Sequence, residues 1–141
     1  MHASADLRAD IAKLMGLPLS RVIFGPNHVQ LEFCGDYNAF VDISRAFEVR
    51  GAAEGSVQIF DPVGHGAQEA AMTIVALKDR IVETSSLYPT RLELRLSCGT
   101  VVIVPLEPND FEPVIFSGSH HMSPGVLAWH HVLINCQPSE A

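Results

Sequence analysis

The sequence predicts an α+β domain, mainly β, made of two pseudo-repeated helix-plus-antiparallel-strand halves that share one core. Three observations predict it. Val, Ile and Leu are abundant in a chain that is 48% hydrophobic but only 7% aromatic, and β-branched residues suit pleated, half-buried strands. Short alternating apolar runs recur between Gly- and Pro-rich turns, the pattern of antiparallel pairing. The order of landmarks in residues 4–61 then returns in residues 67–134. A length of 141 residues suits one domain with one substantial core, whereas each half alone would be marginal.

Taken in order, Ser4 is placed to cap a first helix whose apolar positions Leu7, Ile11, Leu14 and Met15 fall on one face, and Gly16 followed by Pro18 ends it. Arg21 to Phe24 and Val29 to Phe33 then form a hairpin across Gly25-Pro26-Asn27-His28. After Cys34-Gly35-Asp36, strands are expected at Phe40 to Ile43, Phe47 to Arg50 and Val57 to Phe60. A second helix is expected over Gln68 to Lys78, more buried than the first because Ala71, Met72, Ile74, Val75 and Leu77 are all apolar. Arg80 to Leu87, Arg91 to Leu96, Thr100 to Val104, Val114 to Phe116 and Val126 to Ile134 complete the strands.

The halves align on Leu31-Glu-Phe-Cys-Gly35 and Leu94-Arg-Leu-Ser-Cys-Gly99, with Leu94 lying 63 residues after Leu31. Ile11 to Leu14 meets Ile74 to Leu77 at the same offset, while Phe47-Glu-Val meets Phe111-Glu-Pro-Val at an offset of 64. Ser97 accounts for the difference as a bulge residue. A unit of one helix and about five short strands cannot hide its own apolar face, so the two copies are expected to close a shared core. Strand order stays open, a single antiparallel sheet with both helices on one face included.

Leu17-Pro-Leu-Ser-Arg-Val-Ile-Phe24, the Leu-Glu-Phe-Cys-Gly turn, Val41-Asp-Ile, Phe47-Glu-Val, Leu92-Glu-Leu-Arg-Leu-Ser-Cys-Gly99 and Phe111-Glu together resemble a family of small β-rich bacterial domains of unknown function. The likeness spans roughly residues 17 to 130, and the chain departs from it at Cys34-Gly35 and Cys98-Gly99, where an acid before glycine is the family pattern. The resemblance implies a compact β-rich domain, of a kind occurring as toxin-immunity proteins, and carries over no catalytic residue.

Nine Lys plus Arg against 16 Asp plus Glu give a net charge of −7, a field that repels phosphate backbones and disfavours nucleic acid as a partner. Beyond Arg95, Glu107, Asp110, Glu112 and Glu140 have no positive neighbour in sequence. The first ten residues lack the basic and apolar regions of a secretory signal, and no run approaches a membrane span, so cytoplasmic residence is expected. Three cysteines without a C-x-x-C pair fit reduced, buried thiols.

Chemistry-bearing motifs are weak. His120-His121 and His130-His131 would bring the commonest metal ligand, yet neighbours on a strand point to opposite faces and no Cys or carboxylate sits at zinc-ligand spacing beside them. Surface or half-buried structural histidines are expected, and neither metal nor cofactor. Gly64-His65-Gly66 before a helix is a poor anion loop with Glu69 following it. No P-loop, nucleophile elbow or H-E-x-x-H occurs, so no enzyme activity is expected.

The leading expectation is a non-catalytic immunity protein that covers the active site of a cognate bacterial toxin with a basic surface. Glu107, Asp110, Phe111 and Glu112 are the first contact candidates, with Asp36, Asp42 and Glu48 as their equivalents in the first half. The alternative is a small-molecule or metal-binding module that uses the space between the halves as a pocket with histidines at its mouth. The oligomeric state is left open.

Overall fold

A computed structural model describes residues 5–52, 56–62, 68–107, 113–123 and 126–134. The elements run α1 (Ala5–Ala12), β1 (Leu19–Phe24), β2 (Val29–Cys34), β3 (Tyr37–Ile43), β4 (Phe47–Arg50), β5 (Val57–Phe60), α2 (Gln68–Val75), β6 (Val82–Tyr88), β7 (Arg91–Leu96), β8 (Val101–Pro105), β9 (Val114–His120) and β10 (Trp129–Leu133). They form two five-stranded antiparallel sheets, in the order β1-β2-β3-β9-β10 for the first and β5-β4-β8-β7-β6 for the second. The mainly β, α+β class is observed, and the single-sheet arrangement is not.

Period-2 alternation decides which side of each strand is buried. Val41 and Ile43 of β3 are buried and Asp42 between them is not; Phe47 and Val49 of β4 flank Glu48 in the same way. The inward residues of both sheets form one core. Leu31 and Phe33 from the first sheet meet Phe47, Leu94 and Val102 from the second around a void of only about 10 Å³, at most one water's worth of space. Each large apolar side chain packed there contributes roughly 1.5–3 kcal/mol by leaving water.

The helices pack across the sheet edges. Ile11 of α1 and Leu14 in the turn after it are buried, but Met15 is 48% exposed, contrary to the expected four-residue face. Lys13, Leu14 and Met15 donate their amides three residues back, to Asp10, Ile11 and Ala12, and this tighter winding turns Met15 off the buried stripe. Gly16, at φ 89°, then ends the segment as a left-handed residue. Ser4 lies outside the described residues. Among the described side chains of the second helix and the turn after it, Ile74 and Leu77 face the core while Met72 and Val75, expected to be buried, face solvent. Each exposed residue precedes a buried one by two positions, about 200° round the helix.

Ser85 Oγ of β6 donates to the Ile11 carbonyl at 2.7 Å, and Thr73 Oγ1 of α2 donates to Gln58 Oε1 of β5 at 2.6 Å. Behind the helices the segments after α1 and α2 cross each other. Gly16 N donates to Val82 O (2.8 Å) and Asp79 N to Leu19 O (2.7 Å); Leu19 N donates to Arg80 O (2.8 Å) and Val82 N to Leu17 O (2.9 Å). These four bonds surround an isolated Pro18↔Ile81 bridge.

Other boundaries differ from expectation. Ser97 is a turn residue, not a bulge; the register shifts fall between Leu19 and Arg21 and between Val82 and Thr84. The last strand begins at Trp129 rather than Val126, because Val126, Leu127 and Ala128 lie in an exposed loop. No helix among the described residues is long and apolar enough to cross a membrane.

Candidate binding surfaces

Of the seven expected contact residues, the four described ones, Glu107, Asp36, Asp42 and Glu48, are spread over both sheets and their connections. Asp110, Phe111 and Glu112 lie outside the described residues. Glu107, which has no basic neighbour in sequence, is bound by Arg45 from 62 positions earlier, Nη2 to Oε1 at 2.5 Å. Arg45 sits in the β3–β4 connection with its side chain only 11% exposed, while the Glu107 side chain is 46% exposed. Asp42 and Glu48 face outward from different sheets, and Asp36 stands in the exposed β2–β3 turn.

Asp36 has neighbours that sequence reasoning missed. Its carbonyl accepts the His121 amide at 3.1 Å, which ties the turn to the loop between β9 and β10. That loop holds Met122 at 88%, Val126 at 68% and Leu127 at 62% exposure. Three large apolar residues this bare, rimmed by an acid and by His120 and His121, have the apolar-centre, polar-rim composition of a contact surface. The signal in sequence was the apolar Val126-Leu127 step, which reads equally well as the start of a strand.

Beneath this end, β10 places Trp129 and His131 inward and His130 outward, as strand parity requires. His131 Nε2 lies 2.8 Å from Asp10 Oδ2, and Lys13 Nζ lies 2.7 Å from Asp10 Oδ1. Burial raises the Asp10 carboxyl, but the bonds from His131 and Lys13 and their charges outweigh it and hold the group below the usual carboxylate range. The Lys13 ammonium also stands 4.9 Å over the Trp129 ring and 5.5 Å over Tyr37, a favourable cation–π arrangement. His131 is thus a satisfied structural histidine. Among the described residues no three His, Cys, Asp or Glu side chains are grouped to hold a metal.

Asp42 contrasts with Asp10. Its Oδ1 is buried without a hydrogen-bond partner among the described residues; burial pushes its carboxyl up, with His28 pulling weakly the other way. Cys34, expected buried, is exposed, because it ends β2 on the outward side. Cys98 is half-buried, and its bonds with Thr100 outweigh burial to leave the thiol below its ordinary value.

A groove of about 630 Å³ runs over the outer face of the second sheet. Ile103 of β8 lies between Glu48 of β4 and Glu93 of β7, and Ile59 of β5 lies beyond Glu48. Arg50 donates through Nε to Glu48 at 3.0 Å, and Arg91 through Nε to Glu93 at 2.7 Å. The Arg91 guanidinium also lies 4.2 Å over the Tyr88 ring. No histidine lines the groove, so the expected pocket with histidines at its mouth is not this one. No protein-family model, curated protein or solved structure matches the chain.

Proposed function

We propose that this chain is a binding protein with no chemistry of its own, acting as a cytoplasmic immunity protein that neutralises a cognate bacterial toxin by covering its active site. The observation that carries the reading is the β9–β10 loop, where Met122, Val126 and Leu127 stand in solvent beside Asp36. An apolar tip contributes nothing to the core and gains only by being covered. The net charge of −7 favours fast association with a basic partner. The contact centre moves from Glu107 to this end of the molecule, with Asp110, Phe111 and Glu112 retained as a second patch. Co-expression with the product of the adjoining reading frame tests it. Growth should be restored by the wild-type chain and lost with Met122→Ser, Val126→Ser and Leu127→Ser combined with Asp36→Asn in a chain that still folds. Rescue by that variant overturns the site; no rescue by the wild type overturns the immunity reading.

We infer further that the halves, about 4–61 and 67–134, are two copies of one module. Replacing each strand of the first sheet, β1-β2-β3-β9-β10, by its counterpart gives β6-β7-β8-β4-β5, the order of the second sheet. Leu19 pairs with Phe33 and Val82 with Leu96, each 63 residues later, with a register shift at the same step in both. The bonds around Pro18↔Ile81 form two matched pairs at the same offset of 63. Thr73 on Gln58 matches Asp10 on His131. In this alignment Val49 corresponds to Phe116, since they pair with the corresponding residues Val102 and Val41, and Phe47 therefore corresponds to Val114 rather than Phe111. Each module lends its last two strands to the other's sheet.

A further inference from the structure

We propose that the groove on the second sheet binds a small organic carboxylate with an apolar body, a site distinct from the β9–β10 loop; the argument rests on the reading of the halves as copies. If they are copies, the first sheet is an internal control for the second. Asp42 pairs with Ile115 as Ile103 pairs with Glu48, and Phe40 pairs with Ser117 as Val101 pairs with Arg50. The offset of 63 sets Gln30 against Glu93 and His28 against Arg91. The same backbone therefore stands with Ile115, Ser117, Gln30 and His28 where the groove has two glutamates and two arginines. Those four charges are not needed to make the fold, and exposed ion pairs add little stability. Their concentration in one groove calls for a ligand.

The geometry indicates its chemistry. A guanidinium carries five N–H donors, and the glutamates occupy the Nε side of Arg50 and of Arg91, which leaves donors for the two oxygens of a second carboxylate. Tyr88 holds the Arg91 plane in place, so less freedom is lost on binding. Ile103 and Pro105 of β8 give an aliphatic floor between the two arginines, and Ile59 extends it beyond Glu48, suited to an alkyl chain. A volume near 630 Å³ is in the range of small-molecule sites.

Titration of the full chain with octanoate, followed by amide chemical shifts, tests the site, with octylamine and octanol as matched cationic and neutral probes. Octanoate should shift the amides of β4, β7 and β8 and bind more tightly than either control. Arg91→Gln with Arg50→Gln should weaken it about tenfold or more, the loss of a charge-assisted bidentate contact, without changing the thermal midpoint. The combined β9–β10 loop variant should bind octanoate normally, which separates this site from the immunity surface. No shift at millimolar octanoate, equal binding of octylamine, or binding unaffected by the arginine variants would overturn the proposal. The module reading stands or falls separately, on the permutation experiment that closes the Discussion.

Discussion

The carboxylate of Asp10 lies 2.8 Å from Nε2 of His131, 121 positions away, and so fastens the first helix to the last strand. With Asp10 ionised, the imidazole nitrogen must be the donor. The bond closes the molecule at the corner where its first and last described elements meet.

Because the folded state holds Asp10 below the usual carboxylate range, its contribution to stability is present above the unfolded value and is lost as pH falls through the lower folded one. Asp10→Asn should therefore cost roughly 1.5–3 kcal/mol at neutral pH, the range for a hydrogen bond to a charged group. The difference from wild type should shrink towards zero in acid. Urea unfolding at neutral pH and near pH 3 checks both the size and the sign.

Asp42 should behave oppositely. Its carboxyl is raised by burial, so ionisation is costlier in the folded state, and stability falls as pH rises through the unfolded and then the folded value. Asp42→Asn should stabilise the protein at neutral pH and leave it unchanged at low pH. A neutral-pH thermal midpoint that falls in the variant would contradict this.

Gly118 is required by its neighbour rather than by its backbone. A Cβ there would lie 2.0 Å from Trp129 Cζ2, so the indole would have to leave its place against Phe116 and Tyr37. Gly118→Ala should cost about 1–3 kcal/mol, as overpacking does. Thermal unfolding measures the loss, and the fluorescence of the chain's one tryptophan reports the displacement.

Legibility in the sequence followed locality. The alternation of Val29, Leu31 and Phe33 and of Leu92, Leu94 and Leu96 is written within each strand, and these residues are all buried as expected. Gly16 marked the end of the first helical segment for a local steric reason. What joins distant positions was not written locally. Nothing near Glu107 announces Arg45, and nothing near β3 announces β9 as its neighbour. The groove draws its walls from β4, β5, β7 and β8, so no segment carries it as a motif. The exposure of Met72 and Val75 was missed for another reason: an apolar helix face does not reveal which side meets the core.

A circular permutant gives the most direct test of the two-module account. Residues 61–67 join β5 to α2, and in a body of equivalent modules the same segment should join β10 to α1. The permutant would carry a copy of 61–67 between Ile134 and Ala5 and would be opened between Asp61 and Gln68. The account predicts a folded protein of the wild type's oligomeric state, whose amide spectrum overlays that of the wild type away from the two joints, with a thermal midpoint within a few degrees. A chain that unfolds, or that folds with shifted resonances throughout β3, β4, β8 and β9, would contradict it.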